Sequence, residues 1–240
     1  MGAVVGEEQE RALELEIGVP GEPGSYLARF TNRGARLLEL RLGDYFDQVG
    51  LLPEERLERD HWVRLLESVR TPEGSSGSLG LRAWASTRDY ARTPLEEALW
   101  SMRELAPGED PEGRPGVVFE LAQGTGLRLE KRVLFEPKSY HMHVQLALEN
   151  TGPEGTDRAL TFFFTPAAVV PQESGDKYYR EPQAVYAGQT ADAYKKGSLP
   201  RYEAKMPDPK GSTAKGQFDV PSEVTRFAGV HNKYFAVLMR

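Results

Sequence analysis

A chain of 240 residues that is 39% hydrophobic can bury a substantial core, as one large domain or two small ones. Its 36 acidic against 30 basic side chains leave a formal charge of -6, which argues against a nucleic-acid partner, since phosphates select a basic face. With no cysteine there are no disulfides, thiolate metal sites or cysteine nucleophiles, and no run of about 18 apolar residues offers a membrane-spanning helix.

Residues 1–11 are acidic and read as a flexible lead-in to a single domain over 12–240. Leu13, Leu15, Ile17 and Val19 alternate with Glu14, Glu16 and Gly18, the period of two that a half-buried strand requires. Residues 26–42 predict a hairpin, because Thr31-Asn-Arg-Gly34 holds residue types that tolerate positive φ and Leu38, Leu40 and Leu42 then share a face. Trp62, Leu65, Leu66 and Val69 have the spacing of a short helix, with a strand as the competing reading. Residues 71–77 read as a loop, 79–84 as a short strand, and Pro94 as the start of a helical turn.

The strongest signal is the meander over 116–152. Leu127, Leu129, Val133 and Phe135 fall on one face and Arg128, Glu130, Arg132 and Glu136 on the other, with Leu134 the one breach. Tyr140, Met142, Val144, Leu146 and Leu148 repeat the pattern against His141, His143, Gln145 and Glu149. The expectation is that both apolar faces, with Leu38 and Leu40, point into one core between two antiparallel sheets. Another apolar strand follows at 160–165, then a long loop-rich section over 171–216 with short edge strands, and finally an apolar strand over 230–239. Because that strand stops one residue short of Arg240, the chain is expected to be cut within its domain. An edge so exposed recruits another chain, which predicts self-association through it.

Three landmarks, "GLRLEKRVLF" followed by "SYHMHVQLALENTG", the opening hairpin with its "NRGA" corner, and "KYF" near the end, resemble the periplasmic domain of the YidC family of bacterial membrane protein insertases. The resemblance implies an all-β fold, an antiparallel super-sandwich of the galactose-mutarotase type, whose C-terminal strands and helix this chain is expected to lack. It implies an accessory binding domain at the periplasmic face of the inner membrane, not an enzyme, with the Sec translocon or nascent membrane proteins as partners. No binding residue can be carried over from it.

The residues themselves offer little chemistry. His141 and His143 lie two apart with the spacing of two ligands to one metal, but no third ligand is visible, and they read as solvent-side histidines, as do the isolated His61 and His231. Tyr178, Tyr179, Tyr186, Tyr194 and Tyr202 read as pins holding a long loop, with a recognition surface as the alternative. No catalytic, cofactor or metal site is assigned. The competing function is a mutarotase-like sugar enzyme, which would need a histidine and a carboxylate converging on one point. Nucleotide-binding, zinc-protease and serine-hydrolase motifs are absent from the sequence.

Overall fold

The computed structural model describes residues 6–71, 74–86, 92–123, 126–152, 160–168, 170–171, 183–188, 201–205, 225–231 and 234–239. The chain divides into two compact units, Met1–Thr165 and Pro166–Arg240. All the described sheets are antiparallel, and the only helical pieces among the described residues are short 3-10 turns at Glu55–Leu57 and Arg59–His61.

The first unit is a sandwich. One sheet runs β1 (Ala12–Ile17), β2 (Tyr26–Thr31), β3 (Arg36–Phe46), β4 (Trp62–Glu67), in that spatial order. Beyond it come a hairpin of β5 (Val69–Thr71) and β6 (Gly74–Ser76), then β7 (Gly80–Ser86) and β8 (Arg92–Pro94). The second four-stranded sheet holds β9 (Ser101–Glu104), β10 (Gly116–Gln123), β11 (Leu127–Phe135) and β12 (Met142–Asn150), in the order β12-β11-β10-β9. A third joins β13 (Leu160–Thr165) to β7 and β8. Aromatic rings tie the two four-stranded sheets face to face: Phe30 meets Phe119 at 5.9 Å and Phe135 at 6.3 Å, and Tyr26 meets Phe135 at 5.7 Å. The second unit is one sheet of β14 (Gln183–Gly188), β15 (Arg201–Lys205), β16 (Thr225–His231) and β17 (Ala236–Met239), ordered β15-β14-β16-β17.

The turn 32–35 shows why the opening hairpin folds as it does. Gly34 takes φ 67°, and a β-carbon there would lie 2.7 Å from the Glu96 carbonyl, so only glycine fits. Leu38 does not join Leu40 and Leu42 in the core. Phe30 pairs with Leu37 and Arg29 with Glu39, which leaves Leu38 as the extra residue of a β-bulge, and the bulge turns Leu37 inward instead. Trp62, Leu65 and Leu66 belong to a strand and not a helix, with Trp62 and Leu66 buried by their pairing to β3. Pro94 ends strand β8 and opens no helix. Leu134 is no breach, since a second small cluster with Leu105 and Val118 buries it on the outer face.

From Gly6 onward the described part of the lead-in hydrogen-bonds to the first unit. The Glu7 carboxylate accepts from the Met102 amide at 3.0 Å, from Asn32 Nδ2 at 3.0 Å and from both donors of the Arg11 fork. Asn32, fully buried, also accepts from the Arg11 amide and donates to the Gln9 carbonyl. Glu7→Ala is therefore expected to cost about 1–2 kcal/mol, since it strands a backbone donor and a buried amide at once. Chemical denaturation of the variant checks this, and an unchanged midpoint would return residues 6–11 to a passive tail.

The apolar run at 230–239 is two strands, not one. β16 and β17 form a hairpin in which Ala228 faces Met239 and His231 faces Ala236. β17 is the edge strand of its sheet, and Leu238 on it is half exposed.

Candidate functional site

β12 is the edge of the second sheet, and its surface departs most from the sequence expectation. Its cross-strand partners on β11 are fixed: Leu148 faces Leu129, Leu146 faces Lys131, Val144 faces Val133 and Met142 faces Phe135. Directly opposed residues project to the same side, so the apolar stripe of β12 does face inward. It is not sealed there. Leu129, Val133 and Phe135 are buried, whereas Met142 and Val144 are only partly covered and Leu146 and Leu148 stay 39% and 40% exposed. The alternation is real, but an edge strand has a neighbour on one side only, so half of each side chain lacks cover.

The backbone phase of β12 follows from its ends. The Glu136 amide donates to the His141 carbonyl at 3.0 Å, and the Thr151 amide donates to the Gly126 carbonyl at 2.8 Å. In an antiparallel ladder the bonded pairs alternate. Residues 143, 145, 147 and 149 thus turn their N–H and C=O groups toward β11, and Met142, Val144, Leu146, Leu148 and Asn150 turn theirs away from it, to the open side. Among the described residues no strand pairs with that side.

At the Met142 end the stripe continues into tyrosines. Tyr140 packs edge-on against Tyr26 and Tyr45 at 6.1 Å each, and its hydroxyl donates to Asp44 Oδ2. Burial first, then the bond to Asp44, keep the Tyr140 phenol protonated well above its ordinary range. Tyr26 is held up likewise by burial and by the Asp44 charge, and its hydroxyl donates to the Ser139 carbonyl at 2.6 Å. Tyr140 and Tyr45 remain 45% and 43% exposed, so the cluster extends the open apolar surface.

Beneath the stripe lies a side chain that sequence reading passed over. Lys131 sits on the inner face of β11 and is fully buried, with Nζ donating to the Ala35 carbonyl at 2.6 Å and to the Leu79 carbonyl. Both carbonyls belong to non-glycine corners with positive φ, 48° at Ala35 and 57° at Leu79. The rings of Phe119 and Phe164 flank the amine at 5.4 and 5.7 Å. Burial brings its pKa down to about 7. One amine thereby ties three sheets together, through β11, the β3 corner and the β7 corner. Its place was legible, since 131 continues the inward series 127, 129, 133, 135.

The histidines do not assemble. His143 on β12 lies 3.4 Å from Glu136, and His141 precedes the strand with its backbone in the turn. His61 pairs with Asp47 at 3.3 Å at the base of the β3–β4 loop, far along the chain from either. The described residues contain no group of three or more metal-type ligands. The His231 side chain and those of Tyr178, Tyr179, Tyr186, Tyr194 and Tyr202 lie outside the described residues. His61 also lies 3.8 Å from Glu58, and none of these pairs brings His61 and His143 together.

The family model described as the YidC periplasmic domain matches residues 24–238. No curated protein and no solved structure matches the chain.

Proposed function

The chain belongs to the family of YidC periplasmic domains, and from that premise we propose that it is a non-catalytic docking domain of a membrane protein insertase whose β12 edge takes up an extended apolar segment. The observation that carries the reading is the coincidence on one strand of a backbone edge that no described strand pairs with and a half-covered stripe of Val144, Leu146 and Leu148. Strand addition needs both: main-chain bonds give affinity, and pockets for alternate side chains give selection. The segment is supplied by a nascent membrane protein or by the Sec translocon, at the periplasmic face of the inner membrane. Since one family model runs from 24 to 238 across both units, we read them as one functional domain.

The test is binding of a short synthetic peptide of alternating leucine and threonine, followed by calorimetry. Leu146→Lys with Leu148→Lys is expected to weaken binding about tenfold or more, as loss of central apolar anchors does. Both positions are half exposed, so the fold is retained and melting is little changed. Equal affinity of the wild type and the double variant would rule out β12. A sugar-turnover assay on the same protein addresses the competing enzyme reading, which no residue described above favours.

A further inference from the structure

We infer that β12 also pairs with β12 of a second copy of this chain, antiparallel about Leu146, so that the domain covers its own docking edge when no other segment is bound. The inference rests on the reading of β12 as an open edge.

The backbone permits this register. A two-fold axis through the Leu146 pair sets Val144 against Leu148 and Met142 against Asn150 of the second copy. All of these are positions whose N–H and C=O groups turn to the open side, so each opposed pair meets as a hydrogen-bonded one. Such an axis makes the interface isologous, each contact occurring twice.

The side chains agree with the backbone. On the inner face Val144 meets Leu148 of the second copy and Leu146 meets its own equivalent, which extends the half-covered stripe across the axis and covers it. On the outer face His143 falls opposite Glu149 of the second copy, twice, and Gln145 falls opposite Ala147. No like charges oppose each other. Shifting the axis to Gln145 moves Glu149 opposite His141, which precedes the strand. In the isolated chain the partners of His143 and Glu149 are held loosely, Glu136 at 3.4 Å and Arg128 at 3.8 Å with all four side chains well exposed, so both are available to the second copy. β12 offers nine residues to such pairing, against four on β17.

The absence of native cysteine makes the test clean. Directly opposed bonded residues have Cα atoms about 5.5 Å apart, within disulfide range. Leu146→Cys is therefore expected to oxidise to a covalent dimer, while Ala147→Cys, facing Gln145 across the axis, forms no cross-link. By sedimentation, Glu149→Lys and His143→Glu should each weaken the dimer about tenfold, and H143E/E149K together should restore it, because the opposed charges are again of opposite sign. Equal cross-linking at 146 and 147, no cross-linking at 146, or a dimer indifferent to these charges, such as one through β17, would overturn the inference. Peptide binding by monomeric E149K keeps the two readings apart. A strictly monomeric wild type that binds the leucine–threonine peptide overturns self-pairing alone, and a 146-linked dimer whose E149K monomer refuses the peptide supports self-pairing and removes the docking role.

Discussion

Phe135→Ala is expected to cost about 3–5 kcal/mol, whereas Leu148→Ala, on the same face of the same sheet, is expected to cost under about 1 kcal/mol. Both residues belong to the inward series of the meander, and a reading from period alone treats them alike. Their surroundings differ. Phe135 is fully buried and its ring touches those of Tyr26 and Phe30 on the opposite sheet, so truncation opens a cavity at the junction of the sandwich. Leu148 keeps 40% of its surface in water, and its removal leaves a dent that solvent fills. Urea unfolding of the two variants, each made in the E149K background that weakens self-pairing, measures the contrast directly. Similar large losses at both sites would mean that β12 is sealed in solution and that the open stripe does not exist.

Stability should rise with pH on account of Lys131. Its folded pKa is brought down by burial to about 7 from an ordinary 10.5, so within that window the unfolded chain holds a proton that the folded chain lacks. Folding then releases a proton, and raising the pH favours the folded state by at most roughly 1.4 kcal/mol per pH unit. Below the folded pKa both states are protonated and the dependence vanishes. The two carbonyls suit this behaviour, since a neutral amine has two N–H donors and finds two acceptors, while the charged form brings a third donor and no carboxylate meets it among the described residues. Lys131→Met keeps the length of the side chain and removes the titration. Its unfolding free energy is expected to lose the rise across that window, whatever its level, once the shared titration of other lysines and tyrosines is subtracted. Parallel curves for the two proteins would show that this amine does not titrate there.

Much of the architecture was legible in the sequence because period two is enforced wherever one face of a strand is buried. The meander and the strands of the opening hairpin follow from it, while the Asn-Arg-Gly corner follows from residues that tolerate positive φ, and Leu160–Thr165 is the apolar strand that the family resemblance implied. Period fails where a neighbour decides. Leu38 leaves the core because a bulge resets the phase of β3, and nothing local announces that bulge. Trp62 and Leu66 carry a helix-like spacing, yet pairing with β3 makes them a strand. The last strand, expected over 230–239, is instead the end of β16 paired back on β17, a pairing that the alternation of apolar residues does not reveal. For the candidate site the case is sharper: sequence gave the stripe of β12 its direction but not its cover, since exposure depends on which strand is an edge. Lys131 could have been found from its place in the inward series, where a charged side chain must meet either a partner or a shifted pKa.

The central claim is that β12 presents an open, alternating edge to an extended segment, and residue-resolved amide exchange tests it most directly. With E149K as the monomeric protein and the leucine–threonine peptide added, the amides of Val144, Leu146 and Leu148 should slow markedly, because their N–H groups acquire acceptors on the added strand. Those of His143, Gln145 and Ala147, already bonded to β11, should change little. Slowing that ignores this alternation, or none along β12 at saturating peptide, would contradict the account.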